Sequence, residues 1–312
     1  VSDPQGAAAA SSVQTDASVS AQPRVGAVVV NHDAGDVLLE CIESLQAEGI
    51  SEIVVVDNAS SDGSVHALEG AHPSVRILET GRNLGYGAGA NRGLDTLQSD
   101  VVLVCNPDVS VHRGSVAALK AVLAADRTVA IAGPRIEEPD GSRYPSARRF
   151  PSLGDAAGHA LLGQWMPGNR FTRRYKMEDV EVSTSSSVDW VSGACFAVRR
   201  QAMSELGGFD EAYFMYAEDV DLCWRARRAG WRVVYVPVAV VTHLQGISTS
   251  RRPFRMLVAH HTSAFRFASR STSGWRRVAL PAVAVTLAVR LVSAVVRQAF
   301  TRHFAGGVRR AD

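Results

Sequence analysis

At 312 residues, 46% apolar and 21% charged, the chain has the make-up of a globular protein with room for one large domain or two small ones. Its formal charge of +2 hides an asymmetry: residues 251–312 carry twelve Arg, no Lys and a single acid, a net +11 that leaves residues 1–250 at −9. The acidic body argues against nucleic-acid binding, and the basic end calls for an anionic partner. Cys41, Cys105, Cys195 and Cys223 are widely separated with no CxxC pair, which points to reduced, buried thiols in a cytosolic setting.

Residues 1–23 are rich in Ala, Ser and Gln and lack a basic start followed by an apolar block, so they read as a disordered lead and not as a signal peptide. From Val25 strands and helices alternate. VGAVVVN (25–31) and IVVVDN (53–58) are continuous apolar runs of the kind found in parallel strands covered on both faces. Between them Val37, Leu38, Cys41, Ile42 and Leu45 recur at helical spacing. Further strands are expected at 75–80, 101–106 and 129–134, with helices after Gly85 and over 115–125. The pattern predicts an α/β fold with a mainly parallel central sheet. Residues 135–190 are irregular, as a substrate-facing excursion would be. VDWVSGACFAVRR (188–200) and WRVVYVPVAVVTH (231–243) read as later strands, the second ending in His243.

Ligands of such sheets bind beyond the carboxyl ends of the strands. Asp57-Asn58 and Asn106-Pro107-Asp108 fall there, each following a long apolar strand. Turn formation alone explains either cluster taken singly. Downstream, GGFDEAYFMYAEDVDLCWRARRAGW (207–231) crowds Glu218, Asp219 and Asp221 behind an aromatic run. Carboxylates this close repel one another unless a cation or a proton compensates. A helix start or a pairing of Asp219 with Arg225 or Arg228 is the plainer alternative. GYGAGANRG (85–93) resembles a dinucleotide fingerprint but follows the third strand instead of the first, so its glycines are read as allowing close approach of a nucleotide sugar.

Taken in order, VVVNH, VVVDNASSDGS, GRNLGYGAGANRG, VCNPD, WVSGACFAVRR and GGFDEAYFMYAEDVDLCWR resemble the inverting family 2 glycosyltransferases of the GT-A fold, over about residues 25–245. The NPD variant, with YPSARRFPSLGDAAGHALLG (144–163) and AHHTSAFRFASRSTSGW (259–275), is similar to the rhamnosyltransferases of that family. The resemblance implies a GT-A catalytic domain at 24–245. It implies transfer of L-rhamnose from a dTDP-sugar donor to a polyprenyl-diphosphate-linked N-acetylglucosamine in cell-wall assembly, with another sugar such as galactofuranose or N-acetylglucosamine as the alternative. By motif position Asp219 would be the base and Glu218 its neighbour. Asn31, Asp57, Arg82, Asn83, Asn106 and Asp108 would hold the donor. Asp108 and His243 would bind a divalent cation, Mg2+ or Mn2+, weakly or with help from the donor, because Asn106 offers only a neutral amide where the family has a carboxylate. Gly193, Arg251, His260 and His261 would lie near the acceptor.

Residues 246–312 are expected to form a basic helical segment associated with the membrane or the acceptor. The apolar run Val278–Val289 would be about 18 Å long as a helix, short of the roughly 30 Å of a hydrocarbon core. With Thr286, Arg290, Ser293, Arg297 and Thr301 on one stripe, it reads as an amphipathic helix lying on an anionic inner-membrane surface, or else packed on the domain or on a second subunit. A peripheral position on the cytoplasmic face of the plasma membrane follows from the first reading.

Overall fold

The computed structural model describes residues 23–150, 166, 168–169, 184–245 and 253–308, with side chains as far as residue 300. Nearly all of the expected 1–23 lead, most of 151–183 and Arg251 lie outside the described residues.

The chain opens with β1 (Val25–Asn31), α1 (Val37–Ala47), β2 (Glu52–Asp57), α2 (Ser64–Ala71), β3 (Arg76–Glu79), α3 (Tyr86–Leu94) and β4 (Val101–Cys105). Next come β5 (Val109–Val111), α4 (Ser115–Ala125), β6 (Val129–Glu137), β7 (Arg143–Tyr144) and β8 (Ala147–Arg148). The later part holds β9 (Ser186–Ser187), β10 (Trp190–Val191), β11 (Cys195–Arg199), α5 (Arg200–Leu206), α6 (Glu218–Arg228) and β12 (Arg232–His243). It ends with α7 (Pro253–Ser271), a 3-10 turn (Gly274–Ala279) and α8 (Leu280–Val308).

The main sheet runs β3-β2-β1-β4-β11-β6-β12-β5. β1, β2, β3 and β4 are parallel, as are β6 and β12, while β11 lies antiparallel between β4 and β6. Alternation along each strand builds two cores. Ala27, Val29, Val55 and Leu103 face Leu38, Ile42 and Leu119. Val28, Val30, Val56 and Val104 face α3 and α6 through Ala90, Leu94, Leu222 and Cys223. All four cysteines are free and buried, as the sequence suggested.

Register brings the chemistry to one edge. Asn31 pairs with Asp57 at the ends of β1 and β2, and Val29 with Cys105. Because β11 runs the other way, its start returns to that edge: Cys195 pairs with Cys105, and Asn106 N–H donates to Ala194 O at 2.9 Å. β12 changes register between Val236 and Val240, around Pro237, which has no N–H to give the ladder, and ends with His243 opposite Val109.

The C-terminal arm differs from its reading in the sequence. α8 is 29 residues long and runs as helix through Arg290 and Arg297, as the stripe from Thr286 to Thr301 implied, well past the end of the apolar run at Val289. Within Gly274–Phe300 an 18-residue stretch has a mean hydropathy of 2.1, so by length and composition this helix is long and apolar enough to cross a membrane, and the shortness inferred from the uninterrupted run is corrected. The expected polar stripe is quiet: Thr286 Oγ1 donates to Ala282 O at 2.8 Å and Ser293 Oγ to Val289 O at 2.9 Å. Val285, Val289, Val292, Val296 and Phe300, at helical spacing, form an outward apolar face.

Candidate active site

A cleft of about 1410 Å³ runs along the strand ends and beneath the C-terminal arm. Glu218 and Asp219 open α6 on one wall. The loop before them is held in place by contacts from α3. Tyr86 N–H donates to Phe214 O at 3.0 Å. Gly85 (φ +91°) lets the chain pass so close that a Cβ there would meet Phe214 O at 2.1 Å. Tyr216 and Ala217 then take left-handed conformations (φ +67° and +61°) that non-glycine residues adopt only at a cost, and this bend points the first turn of α6 into the cleft.

Asp219 is fixed by backbone donors. Its Oδ2 accepts the Gly193 N–H at 2.7 Å and its Oδ1 the Val220 N–H at 2.8 Å. Each oxygen keeps a second lone pair for an incoming hydroxyl. Gly193 is a positioning residue here: a Cβ would sit 3.1 Å from Asp219 Cβ, and its carbonyl accepts the Tyr86 hydroxyl at 2.6 Å. Burial holds Asp219 above the usual carboxylate range, against the lowering effect of those N–H groups and of Arg148. Glu218 is pushed up to about 8, by burial first and by the Asp219 charge second, and its Oε2 has no hydrogen-bond partner. The pair therefore carries one negative charge and one proton near neutral pH.

The salt-bridge alternative for Asp219 is not what forms. Arg225 pairs with Asp221, four residues earlier, at 2.7 Å, while Arg228 lies 4.9 Å over the Trp224 ring. Asp221 also meets Arg270 of α7 at 3.3 Å, and Asp210 pairs with Arg266 and Arg270. With Ser263 Oγ donating to Met215 O at 2.9 Å, these contacts dock α7 on the loop that carries the carboxylate pair.

Opposite that pair, Asn106, Asp108 and His243 converge. His243 Nε2 lies 3.1 Å from Asp108 Oδ1 and 3.3 Å from Asn106 Nδ2. One imidazole nitrogen cannot donate to the carboxylate and accept from the amide at once. Turning the amide over to present Oδ1, with a cation at the centre, resolves the conflict with one carboxylate, one imidazole and one neutral oxygen. Among the described residues no group of three or more His, Cys, Asp or Glu side chains gathers, so two strong ligands are the most this cluster supplies.

The other sequence-derived residues are distributed unevenly. Asn83 lines the cleft, and Arg82 is not part of its wall. Asn31 and Asp57 sit behind the wall: Asn31 Nδ2 donates to Asp57 Oδ1 at 3.1 Å, and Asp57 accepts the N–H and hydroxyl of Ser60, so both shape the β2–α2 turn. Asn31 Oδ1 remains buried without a hydrogen-bond partner. His260 lines the cleft, edge-on to Tyr216 at 5.3 Å. His261 does not; it is buried, with Nδ1 2.8 Å from Leu257 O. Gly87, Gly89 and Gly93 serve helix packing, since a Cβ on them would strike Phe209, Val30 and Val28, which corrects the nucleotide-approach reading for these three. His32 and Asn58, which the sequence placed at strand ends, line the cleft, and so does Asp33, which was not singled out from the sequence. The strand-end rule applied to NHD after β1 would have found Asp33.

Comparison with known proteins adds the following. The profile of a family described as glycosyltransferase-like family 2 matches residues 23–262. The N-acetylglucosaminyl-diphospho-decaprenol L-rhamnosyltransferase of Mycobacterium tuberculosis is 44% identical over 248 residues, covering 76% of this chain and 80% of its own. The low-salt glycan biosynthesis hexosyltransferase Agl10 of Haloferax volcanii is 28% identical over 212 residues, covering 65% of this chain and 62% of its own. Among solved structures, the mannosyltransferase PcManGT from Pyrobaculum calidifontis in complex with GDP-Man and Mn2+ aligns with a TM-score of 0.55 at 19% identity, over 94% of this chain and 82% of its own, a likeness of fold.

Proposed function

The chain belongs to the family 2 glycosyltransferases, and on that premise we propose that it moves L-rhamnose from dTDP-L-rhamnose to N-acetylglucosaminyl-diphospho-polyprenol, in assembly of a cell-wall linker. The observation that carries the reading is that one cleft holds both the Glu218–Asp219 pair and the Asn106–Asp108–His243 cluster. The first suits deprotonation of an alcohol, and the second suits a departing diphosphate.

In this mechanism the nucleotide lies along the strand ends, against His32, Asp33, Asn58 and Asn83, with Asn31 and Asp57 bracing the wall from behind. Asp108 and His243, with the Asn106 amide oxygen, would hold a divalent cation, which when bound neutralises charge on the leaving diphosphate. Asp219 takes the proton from the acceptor hydroxyl as it attacks from the side opposite the leaving group, so the anomeric centre inverts. Glu218, protonated, keeps a second charge off the pair. α8 attaches the enzyme to the cytoplasmic membrane face: its outward valines meet the lipid and the arginines of the arm meet anionic headgroups.

The test is incubation of the purified chain with dTDP-rhamnose, UDP-sugars and an N-acetylglucosaminyl-diphospho-lipid, followed by mass spectrometry. A rhamnose-sized mass gain on the lipid is expected. Transfer from UDP-sugars alone would remove the rhamnose assignment and keep the enzyme class.

The proton on Glu218 has its own signature. Activity should fall as pH rises through about 8, where Glu218 ionises, and Glu218→Gln, which mimics the protonated acid, should lack that alkaline limb. Stability follows the same group. Its folded value lies above its ordinary 4.5, so the unfolded chain holds fewer protons between about 4.5 and 8. The contribution therefore disfavours folding progressively as pH rises through that window and levels off above it. Melting curves of Glu218→Gln should show a shallower decline from pH 5 to 8; parallel curves would contradict the assignment.

A further inference from the structure

The cleft is larger and more apolar than a nucleotide sugar needs. At about 1410 Å³ it exceeds the roughly 300–1,000 Å³ of common small-molecule sites. It continues past Asp219 under the 3-10 turn to Ala279, Ala282, Val283 and Leu287. The hydroxyls of a sugar and the charged oxygens of a diphosphate gain little from such walls. Two arginines and a histidine line the cleft between Asp219 and these walls. Arg255 lies 4.5 Å over the Phe214 ring, His260 stands edge-on to Tyr216, and Arg276 lines the cleft on the 3-10 turn. Trp275, also on the cleft wall, is 80% exposed.

We propose that the apolar half of the cleft, between α7 and the start of α8, is the seat of the acceptor's polyprenyl chain, with Arg255, Arg276 and His260 receiving its diphosphate. This rests on the transfer reading above and adds where the lipid lies and which residues select it. The order along the cleft matches the order along such an acceptor: sugar hydroxyl at Asp219, diphosphate at the cations, hydrocarbon at Ala282 and Val283. Val283 and Leu287, on the cleft wall, are turned away from the outward valines of α8, while Ala282 lies at the rim between the two faces, and the lipid enters there beside Trp275.

The test compares N-acetylglucosaminyl diphosphates bearing a decaprenyl or a geranyl chain, assayed with the full chain in mixed micelles. The unmodified enzyme should prefer the long chain. Ala282→Trp, which narrows the apolar half, should lower the long-to-short ratio of kcat/KM about tenfold, while Val285→Trp, on the outward face, should leave that ratio within about twofold. Arg276→Gln should raise KM about tenfold for both acceptors alike, with donor KM unchanged. No transfer to either acceptor by the unmodified enzyme would remove the functional reading and this proposal with it. Transfer without chain preference, or a ratio unmoved in Ala282→Trp, would remove the lipid seat alone. A change in sedimentation of Ala282→Trp in place of a change in preference would make the groove a contact between copies of the chain and overturn the proposal.

Discussion

Asp219→Asn is expected to slow sugar transfer by about 10²–10⁴-fold while donor affinity stays within about twofold, measured by kcat for the acceptor and by titration of the donor. The amide nearly matches the carboxylate in size, so the bend through Tyr216 and Ala217 should persist. What is lost is the basic lone pair and the charge that two backbone N–H groups hold in place. The amide must turn its NH2 toward one of those donors, Gly193 or Val220, so a modest fall in melting temperature is expected too. A fall in kcat without a change in donor binding identifies an interaction made in the transition state. Comparable turnover in the variant would take Asp219 out of the base role.

Asp108→Ala should act on the other side of the reaction. Donor KM is expected to rise at least about tenfold, and the divalent-ion concentration needed for half-maximal rate should rise with it. The reason is arithmetic of ligands: with Asp108 gone, the imidazole of His243 and the amide of Asn106 remain, and neither carries the negative charge a hard cation favours. Unchanged responses to chelator and to donor would show that the cluster is structural. The two variants separate the two jobs, since one loses rate at constant donor binding and the other loses donor binding first.

Much of this site was legible because its residues sit at positions that local rules mark. Apolar runs of the β1, β2 and β4 type announce buried strands, and polar residues just past them fall where ligands bind. The GGFDEAYFMYAED segment stood out because packed acids beside aromatics are hard to explain as a solvated helix start. Features set by distant parts of the chain were not legible. The antiparallel entry of β11 between β4 and β6 depends on pairing across about a hundred residues, and no local period encodes it. The link from Asp221 to Arg270 joins residues that share no motif. Arg225 was a missed chance, since the four-residue helical spacing names Asp221 as its partner. The helix of α8 was legible through Arg290 and Arg297 from their shared stripe, but its reach was judged on the uninterrupted apolar run alone, which leaves out the apolar residues beyond each arginine.

The central claim is that Asp219 deprotonates an acceptor hydroxyl in a single displacement at the sugar's anomeric carbon. The configuration of the new glycosidic bond, read by NMR on product made from a donor of known configuration, tests it most directly. Inversion is predicted; retention would require a covalent intermediate or a second displacement and would contradict the mechanism.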